Sequence, residues 1–180
     1  MGNGWINPIW GHRMIFVAVA AVLIFLHLLP LHPAAAGSLP GPDLLLCLVM
    51  AWTMRRPEYL PVWLLAAVML LEDFLLMRPP GLWTALVVAA AEFIRSRIAL
   101  TRELNFGVEW LLVACLMLAV FVAYRVIFAI VFLPQPEFGY AVIQVLWSIL
   151  FYPAVVAVSR YVLDLRKPAM GEVDAYGRRL

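Results

Sequence analysis

Six apolar segments, separated by short polar breaks, make up most of the chain. They cover residues 14–31, 43–56, 59–77, 81–99, 108–133 and 140–164. A helix needs roughly 20 apolar residues to cross the hydrocarbon core of a bilayer. The pattern therefore predicts an all-α integral membrane protein, folded as a compact bundle of about six transmembrane helices. Residues 1–180 form one polytopic domain, with residues 165–180 as a tail.

Proline and glycine mark the breaks, most clearly at residues 30–42, 55–57, 78–81 and 134–136. Proline lacks an amide hydrogen and restricts the residue before it, so these breaks predict helix ends. The second segment is short, because it lies between Pro42 and the Arg55-Arg56-Pro57 turn. It either crosses the membrane with both arginines reaching the headgroups, or forms a shallow, partly re-entrant helix.

Composition agrees with a membrane environment. Hydrophobic residues make up 66% of the chain and charged residues 13%, with a mean hydropathy of +0.96. A soluble domain is about half apolar and about a quarter charged. A soluble fold of this length could not bury so much apolar surface, so the bilayer must act as solvent for most of it.

The basic residues predict the orientation of the bundle. If successive segments alternate in direction, eleven of the 13 Lys and Arg residues lie on one side, and only Arg78 lies on the other. The remaining one, Arg125, lies within the fifth segment. Cytoplasmic loops carry the excess of Lys and Arg, so both termini are predicted to be cytoplasmic. The eleven are Arg13, Arg55, Arg56, Arg95, Arg97, Arg102, Arg160, Arg166, Lys167, Arg178 and Arg179.

Three ionisable residues lie inside predicted membrane segments, where such groups usually face a partner or water. Glu72 and Asp73 lie about one turn before the outer end of the third segment, and Arg125 lies about two turns before that of the fifth. These depths differ by only a few ångströms at about 1.5 Å per residue. We therefore predict an intramembrane ion pair between Arg125 and Asp73 or Glu72. The alternative is that Arg125 extends outward alone and the acids sit in the interface.

Other charged residues have simpler structural interpretations. Glu92 stands three residues before Arg95, the spacing of neighbours on a helix surface. Glu109 lies near the start of the fifth segment, where an acid suits the positive end of a helix. His27 lies in the first segment, where a hydrogen bond within the bundle is expected more often than a role as a proton relay.

Small residues four positions apart allow close contact between membrane helices. Ala85 and Ala89 have this spacing in the fourth segment, and Ala119 and Ala123 in the fifth. The pairs could be packing seams inside the bundle or docking faces for a partner helix. Internal packing is the favoured interpretation.

The chain carries no recognisable catalytic or metal-binding motif, so we expect neither an enzyme nor a cofactor. There is no HExxH or CxxC motif, and Cys47 and Cys115 each lie within an apolar segment. Glu72 and Asp73 are adjacent and point about 100° apart on a helix, which is a poor arrangement for one metal ion. Nucleic acid is not an expected partner, because no basic block with interleaved aromatic residues occurs.

From residue 42 to about residue 97 the order of motifs resembles that of the rod shape-determining MreD family. Residues 42–46 read Pro-Asp-Leu-Leu-Leu, and residues 55–61 read Arg-Arg-Pro-Glu-Tyr-Leu-Pro. An acidic helix end follows at residues 72–76, and residues 78–86 read Arg-Pro-Pro-Gly-Leu-Trp-Thr-Ala-Leu. The family has a Pro-Asp-led second helix, an Arg-Arg-Pro turn and an acid shortly before the turn into the fourth helix.

The resemblance implies a scaffold in the bacterial inner membrane that supports lateral peptidoglycan synthesis and cell shape. The implied partners are the bitopic MreC, the actin-like MreB, and the synthase pair of RodA with a class B penicillin-binding protein. The family is similar in fold to the substrate-binding subunits of energy-coupling-factor transporters. In that fold Asp73 and Arg125 would line the region where those subunits bind a ligand.

Two questions about function remain open in the sequence. Arg55, Arg56, Arg95, Arg97 and Arg102 could contact cytoplasmic partners or anionic lipid, or could serve only to orient the chain. The alternative to the scaffold is a vitamin-type substrate-binding transport subunit, which would copurify with a small molecule and associate with an ATPase module.

Overall fold

The computed structural model describes residues 8–29, 40–97, 105–135, 137–163 and 165 of the chain. In this part all regular secondary structure is helical, which confirms the predicted all-α class. The elements are α1 (Pro8–Leu28), α2 (Leu44–Arg55), a short 3-10 turn (Pro57–Tyr59), α3 (Val62–Leu75), α4 (Leu82–Ser96), α5 (Phe106–Ile130) and α6 (Phe138–Tyr161).

Three helices are long and apolar enough to cross a membrane: the Ile9–Leu28 part of α1, α5 and α6. These three support the assignment as a helical membrane protein. By contrast, α2, α3 and α4 have 12, 14 and 15 residues. At about 1.5 Å per residue they extend only about 18 to 23 Å, less than the roughly 30 Å of a typical hydrocarbon core.

The short α2 forms the centre of the bundle. Every residue from Leu45 to Arg55 is buried, and the helix packs against α6, α4, α1 and the 3-10 turn. Trp52 and Met50 are among the largest fully buried side chains. Because other helices enclose α2, its length need not match the thickness of the lipid. This explains how a 12-residue helix can serve as a core element.

One end of the bundle, which we call the His27 end, collects the last turns of α1 and α3 and the first turns of α2, α4 and α6. His27 Nδ1 lies 3.7 Å from Glu72 Oε1. The backbone N–H of Asp43 donates to Ser148 Oγ at 2.8 Å. Helix ends and helix beginnings thus meet here, as they do when successive helices run in opposite directions.

The opposite end, which we call the Arg55 end, collects the complementary helix ends. Arg55, the last residue of α2, lies 2.6 Å from Glu109 in the first turn of α5. Arg13 of α1 donates through Nη2 to the carbonyl oxygen of Glu58 at 3.3 Å. The described helices therefore form an up-and-down bundle. The polar contacts described here lie at its two ends.

Helix α6 continues through an internal proline, Pro153. A proline has no N–H to donate to the carbonyl four residues earlier, which here belongs to Ile149. Trp110 of α5 supplies the missing donor, since its Nε1–H bonds to that carbonyl at 2.9 Å. Trp110 thus links α5 to α6.

Candidate functional site

Asp43 fixes the start of the central helix. Its Oδ1 accepts a hydrogen bond from the N–H of Leu46 at 2.8 Å, the usual contact of a helix N-cap. Ser148, which accepts from the Asp43 N–H, donates in turn to the carbonyl of Gln144 at 2.8 Å. The cap and the serine together bind the first turn of α2 to α6, so the position of α2 is set by polar contacts as well as packing.

Asp73 performs the same task for α4. Its Oδ2 accepts from the Thr84 hydroxyl at 2.8 Å, from the Gly81 N–H at 3.0 Å and from the Thr84 N–H at 3.3 Å. Gly81 has a φ of 91°, a backbone conformation that favours glycine. The carboxylate therefore sits at the positive end of α4, where its charge is stabilised by the helix dipole.

Glu72 is in a different situation, although it is the adjacent residue. Its side chain is fully buried, with an exposed fraction of 0%. The nearest basic groups in the described chain are His27, whose Nδ1 is 3.7 Å from Oε1, and Arg78, whose Nη1 is 3.9 Å from Oε2. Neither oxygen has a hydrogen-bond partner there. The carboxylate thus has a histidine and an arginine close by, but no direct hydrogen bond within the described chain.

The sequence predicts an ion pair of Arg125 with Asp73 or Glu72, whereas the described structure shows other neighbours for both acids. The arginine nearest to Glu72 is Arg78, and Asp73 caps α4. The Arg125 guanidinium carbon lies 5.1 Å from the ring centroid of Phe138 on α6. In the described structure Arg125 thus lies close to an aromatic ring of α6.

Arg125 and Arg78 nevertheless share one cavity at the His27 end. It has a volume of about 200 Å³, and both arginines lie on its wall together with Asp43. Aromatic side chains, Trp83 and Tyr124 among them, form part of the remaining wall. The sequence does not indicate that these two basic residues share a cavity, although it places Arg78 on the outer side and Arg125 close to it.

Among the described residues, the Arg55 end brings together three polar side chains: Arg55, Glu109 and Tyr152. Arg55 Nη1 donates to Glu109 Oε1 at 2.6 Å, and the Tyr152 hydroxyl donates to the same oxygen at 3.1 Å. The side chains of Arg55 and Glu109 are only 8% and 1% exposed. This corrects the prediction that Arg55 is a surface contact for partners or lipid. Arg55 ends a helix that lies inside the bundle, so its side chain is enclosed.

Two further arginines at this end also have intramolecular partners. Arg56 Nη1 is 3.2 Å from Glu58 Oε1, and both side chains are partly exposed. Arg95 pairs with Glu92, which confirms the helix-neighbour interpretation of their spacing. Arg95 also donates to the carbonyl of Leu60, in the turn before α3. This contact connects the end of α4 to that turn, so Arg95 has an architectural use.

Arg97 is exposed at the end of α4, and its guanidinium carbon lies 5.5 Å from the ring centroid of Phe93. Arg102 lies outside the described residues. A contact of Arg56, Arg97 or Arg102 with cytoplasmic partners or lipid therefore remains a prediction. Because Arg55 is buried, these three arginines are the remaining candidates for a basic contact surface.

The small residues singled out in the sequence lie mostly on the outside of the described bundle. Ala85, Ala89 and Ala119 are exposed, and Ala123 is partly buried. Internal packing, the favoured interpretation from sequence, is therefore not their use within the described helices. Their faces are open to lipid or to another helix.

Metal binding finds no support in the part of the chain that the structure describes, where no three His, Cys, Asp or Glu residues are grouped to hold an ion. The comparisons with known proteins give no relative. No family model matches the chain, and neither a curated protein nor a solved structure is significantly similar to it.

Proposed function

We propose that the chain is a membrane scaffold subunit of the bacterial cell-elongation machinery, similar to MreD. In this role it supports lateral peptidoglycan synthesis and cell shape through contacts with other proteins, without chemistry of its own. The proposal rests on the order of motifs between residues 42 and 97. It assigns the chain to the bacterial inner membrane.

The observation that carries the proposal is the location of the motif residues. Asp43 caps α2 and binds α6, Arg55 is paired with Glu109, and Asp73 caps α4. The residues that make the chain resemble the family thus each hold helices of the bundle together. Because the matching residues hold helices together, the resemblance favours a fold shared with the family. A scaffold acts through the shape of its fold, so a shared fold is consistent with a scaffold role.

The proposed topology is six crossings with both termini in the cytoplasm. The up-and-down order of the described helices supports it, as does the concentration of Lys and Arg on one side. In this topology the Arg55 end faces the cytoplasm and the His27 end faces outward. The short helix α4 packs against α2, and the short helix α3 packs against α4, so local thinning of the bilayer accompanies them.

The proposed partners are an MreC-like bitopic protein, the RodA and class B penicillin-binding protein pair and, indirectly, the actin-like MreB. A bitopic partner presents one membrane helix, and the chain offers apolar faces to such a helix. Exposed large side chains on α1 include Met14, Val22 and Phe25. Membrane lipid covers the faces that no partner occupies.

The proposal is tested by affinity purification of the tagged full chain from membranes of its own bacterium, followed by mass spectrometry. We expect the bitopic protein and the synthase pair to be enriched over a tagged polytopic control of equal abundance. An Arg97→Glu variant tests the basic surface, and Arg160→Glu is the control because Arg160 is exposed at the end of α6. Absence of every elongation protein from the wild-type eluate contradicts the scaffold role.

The cavity between Arg78, Arg125 and Asp43 favours a second candidate function. A substrate-binding subunit of a vitamin-type transporter would need a ligand site in the outer half of the bundle. The same purification distinguishes the two functions. An ATPase module with a transmembrane coupling subunit in the eluate supports transport, and the bitopic protein with the synthase pair supports the scaffold.

A further inference from the structure

Arg13 lies in the second turn of α1 and is the only Lys or Arg among residues 1–54. Its Nη2 donates to the carbonyl oxygen of Glu58 at 3.3 Å, which is its one hydrogen bond within the described chain. Its Nε is buried there without an acceptor. A guanidinium has five N–H donors, so most of the hydrogen-bonding capacity of Arg13 is left for an acceptor outside the described chain.

Arg13 also lacks a carboxylate partner among the described residues. Each of the three described acids at the Arg55 end has another arginine as its partner: the pairs are Glu58 with Arg56, Glu92 with Arg95 and Glu109 with Arg55. Residues 1–42 contain no Asp or Glu at all. The sequence around Arg13 therefore supplies no acid that could neutralise it.

The same side of the protein carries a positive excess when every charged residue of the sequence is counted. In the proposed topology, eleven Lys and Arg residues and seven Asp and Glu residues lie on the cytoplasmic side. The outer half has the opposite balance, with two arginines against four acids. Basic residues near the cytoplasmic surface attract anionic lipids, so such lipids are drawn to the end of the bundle where Arg13 lies.

The surroundings of Arg13 match the depth of a lipid headgroup. Side chains on a helix lean towards its N-terminus, and the guanidinium carbon of Arg13 accordingly lies 5.0 Å from the ring centroid of Trp10. Trp10 is 51% exposed, and exposed tryptophans are common at membrane–water interfaces. Met14, one turn deeper than Trp10, is 66% exposed. Apolar surface for acyl chains thus lies directly below the charged group.

We propose that Trp10, Arg13 and the Pro57–Tyr59 turn form a binding site for an anionic phospholipid of the cytoplasmic leaflet, which we call the α1 lipid site. The lipid phosphate accepts hydrogen bonds from the Nη groups of Arg13, since guanidinium groups bind phosphates well. A zwitterionic headgroup carries a phosphate too, but its cationic group finds no acid in residues 1–42, and Glu58 is already paired with Arg56. The site therefore favours a headgroup without a cation.

This inference goes beyond the scaffold role, in which lipid only covers apolar faces. It adds an arginine that is not among those predicted from sequence to contact lipid. The choice of leaflet rests on the proposed topology, whereas binding itself does not. Because its test uses the purified chain alone, its failure is distinguishable from a failure of the copurification experiment.

The test is a titration of the full chain in a maltoside detergent, followed by native mass spectrometry. The probes are phosphatidylglycerol and phosphatidylcholine with the same acyl chains. We expect saturable binding that is stronger for phosphatidylglycerol. Arg13→Gln should weaken phosphatidylglycerol binding about fivefold, the effect of one basic residue at a membrane surface, and should remove the preference.

Arg160→Gln is the matched control. Arg160 is an exposed arginine at the same end of the bundle, and its guanidinium carbon lies 5.7 Å from the ring centroid of Tyr161. This variant should bind phosphatidylglycerol as the wild type does. If it loses as much affinity as Arg13→Gln, only net charge matters, and the α1 lipid site is overturned.

A soluble competitor distinguishes a lipid site from a site for free anions. Glycerol 3-phosphate carries the headgroup phosphate without acyl chains, so at equal concentration it should not displace phosphatidylglycerol. Displacement at equal concentration would identify a site for soluble anions and contradict the assignment to a lipid.

A second variant keeps the test decisive if Arg13→Gln fails to fold. Ile9 is partly buried and lies four residues before Arg13, a spacing at which a glutamate pairs with an arginine on a helix. Ile9→Glu thus neutralises Arg13 without removing its contact with the turn, and Ile9→Gln is its uncharged control. We expect Ile9→Glu to weaken phosphatidylglycerol binding and Ile9→Gln to leave it unchanged. If Ile9→Glu binds as Ile9→Gln does, or if the wild type binds both lipids equally, the proposal is overturned.

Discussion

The Arg55 end and the His27 end each bury a glutamate, but they surround it differently. Glu109 accepts two short hydrogen bonds, from Arg55 at 2.6 Å and from Tyr152 at 3.1 Å. Glu72 is buried to the same extent, yet its nearest basic groups stand at 3.7 and 3.9 Å. The Glu109 carboxylate is hydrogen-bonded to two side chains in the described structure, whereas the Glu72 carboxylate has no hydrogen bond there.

This difference indicates what each end is for. A buried network in which each member has its partners fixes the relative position of helices, as the Arg55 end does for α2, α5 and α6. The His27 end also has architectural contacts, at Asp43 and Asp73, but its buried glutamate has no hydrogen bond in the described chain. The comparison therefore separates a glutamate that links helices directly, Glu109, from one that does not, Glu72.

The largest expected effect follows from breaking the closed network. Glu109→Gln keeps the shape of the side chain but leaves Arg55 as a buried charge without its counterion. We expect a loss of about 3 to 5 kcal/mol in the free energy of unfolding, measured in detergent by denaturant titration of tryptophan fluorescence. An Arg55→Met, Glu109→Met double variant removes both charges and should recover much of the loss. Equal losses in the single and double variants would contradict a charge-pair role.

The second prediction concerns Asp73, the one tightly bonded acid of the His27 end. Asp73→Ala removes the acceptor of the Gly81 N–H and of both Thr84 donors. The expected loss is about 2 kcal/mol in the free energy of unfolding, as for the removal of a charged N-cap. Hydrogen exchange should accelerate in the first turn of α4.

Thr84→Val is the matched control for that variant. It deletes only the hydroxyl contact to Asp73, at 2.8 Å, and keeps the N–H donors. It should cost about 1 kcal/mol and leave the first-turn exchange nearly unchanged. If hydrogen exchange in α4 is the same in Asp73→Ala as in the wild type, Asp73 does not act as the cap. The contrast between a hydrogen-bonded Asp73 and a Glu72 without hydrogen bonds would then not hold.

The sequence predicted the helical class and the main breaks because both depend on local signals. Apolar runs and prolines are read directly along the chain, and α5 and α6 start within two residues of the predicted segments 108–133 and 140–164. Helix α3 is shorter than the predicted segment 59–77, because a 3-10 turn at Pro57–Tyr59 precedes it and a turn in which Met77 has a φ of 54° follows it. Hydropathy does not encode either backbone geometry.

The partners of the charged residues could be predicted only in part. Spacing along one helix identified the Arg95 pair with Glu92. Depth along the membrane axis suggested Arg125 as the partner of Asp73 or Glu72, but depth does not give direction around the helix. In a membrane protein, lipid-facing and buried positions are both apolar, so the periodicity that orients helices in soluble proteins is weak. The burial of Arg55 was missed for the same reason.

The third prediction applies the Glu→Gln substitution, used above at Glu109, to Glu72. Glu72→Gln removes no hydrogen bond in the described structure, so it should change the free energy of unfolding by no more than about 1 kcal/mol. The measurement is the denaturant titration used for Glu109→Gln, on both variants side by side. A loss as large as that of Glu109→Gln would mean that Glu72 is as tightly engaged, and the contrast between the two ends would disappear.

The smallest expected effect is at the helix ends, where the two ends of the bundle also differ. The described non-glycine residues with positive φ, Met77 at 54° and Phe132 at 53°, follow α3 and α5 at the His27 end. The left-handed conformation costs an L-residue about 1 to 2 kcal/mol, and the extra chain entropy of glycine cancels part of the relief. Met77→Gly should therefore raise the free energy of unfolding by about 0.5 kcal/mol.

The matched control has the opposite sign, because Gly81→Ala introduces a Cβ at a φ of 91° and should lower the melting temperature that Met77→Gly raises. The pair of variants also helps to interpret a destabilising effect of Met77→Gly. Met77 is 92% exposed, so the bundle itself gains almost nothing from its side chain. If Met77→Gly is destabilised in lipid nanodiscs but stabilised in detergent, the side chain has a partner in the bilayer that outweighs the backbone strain.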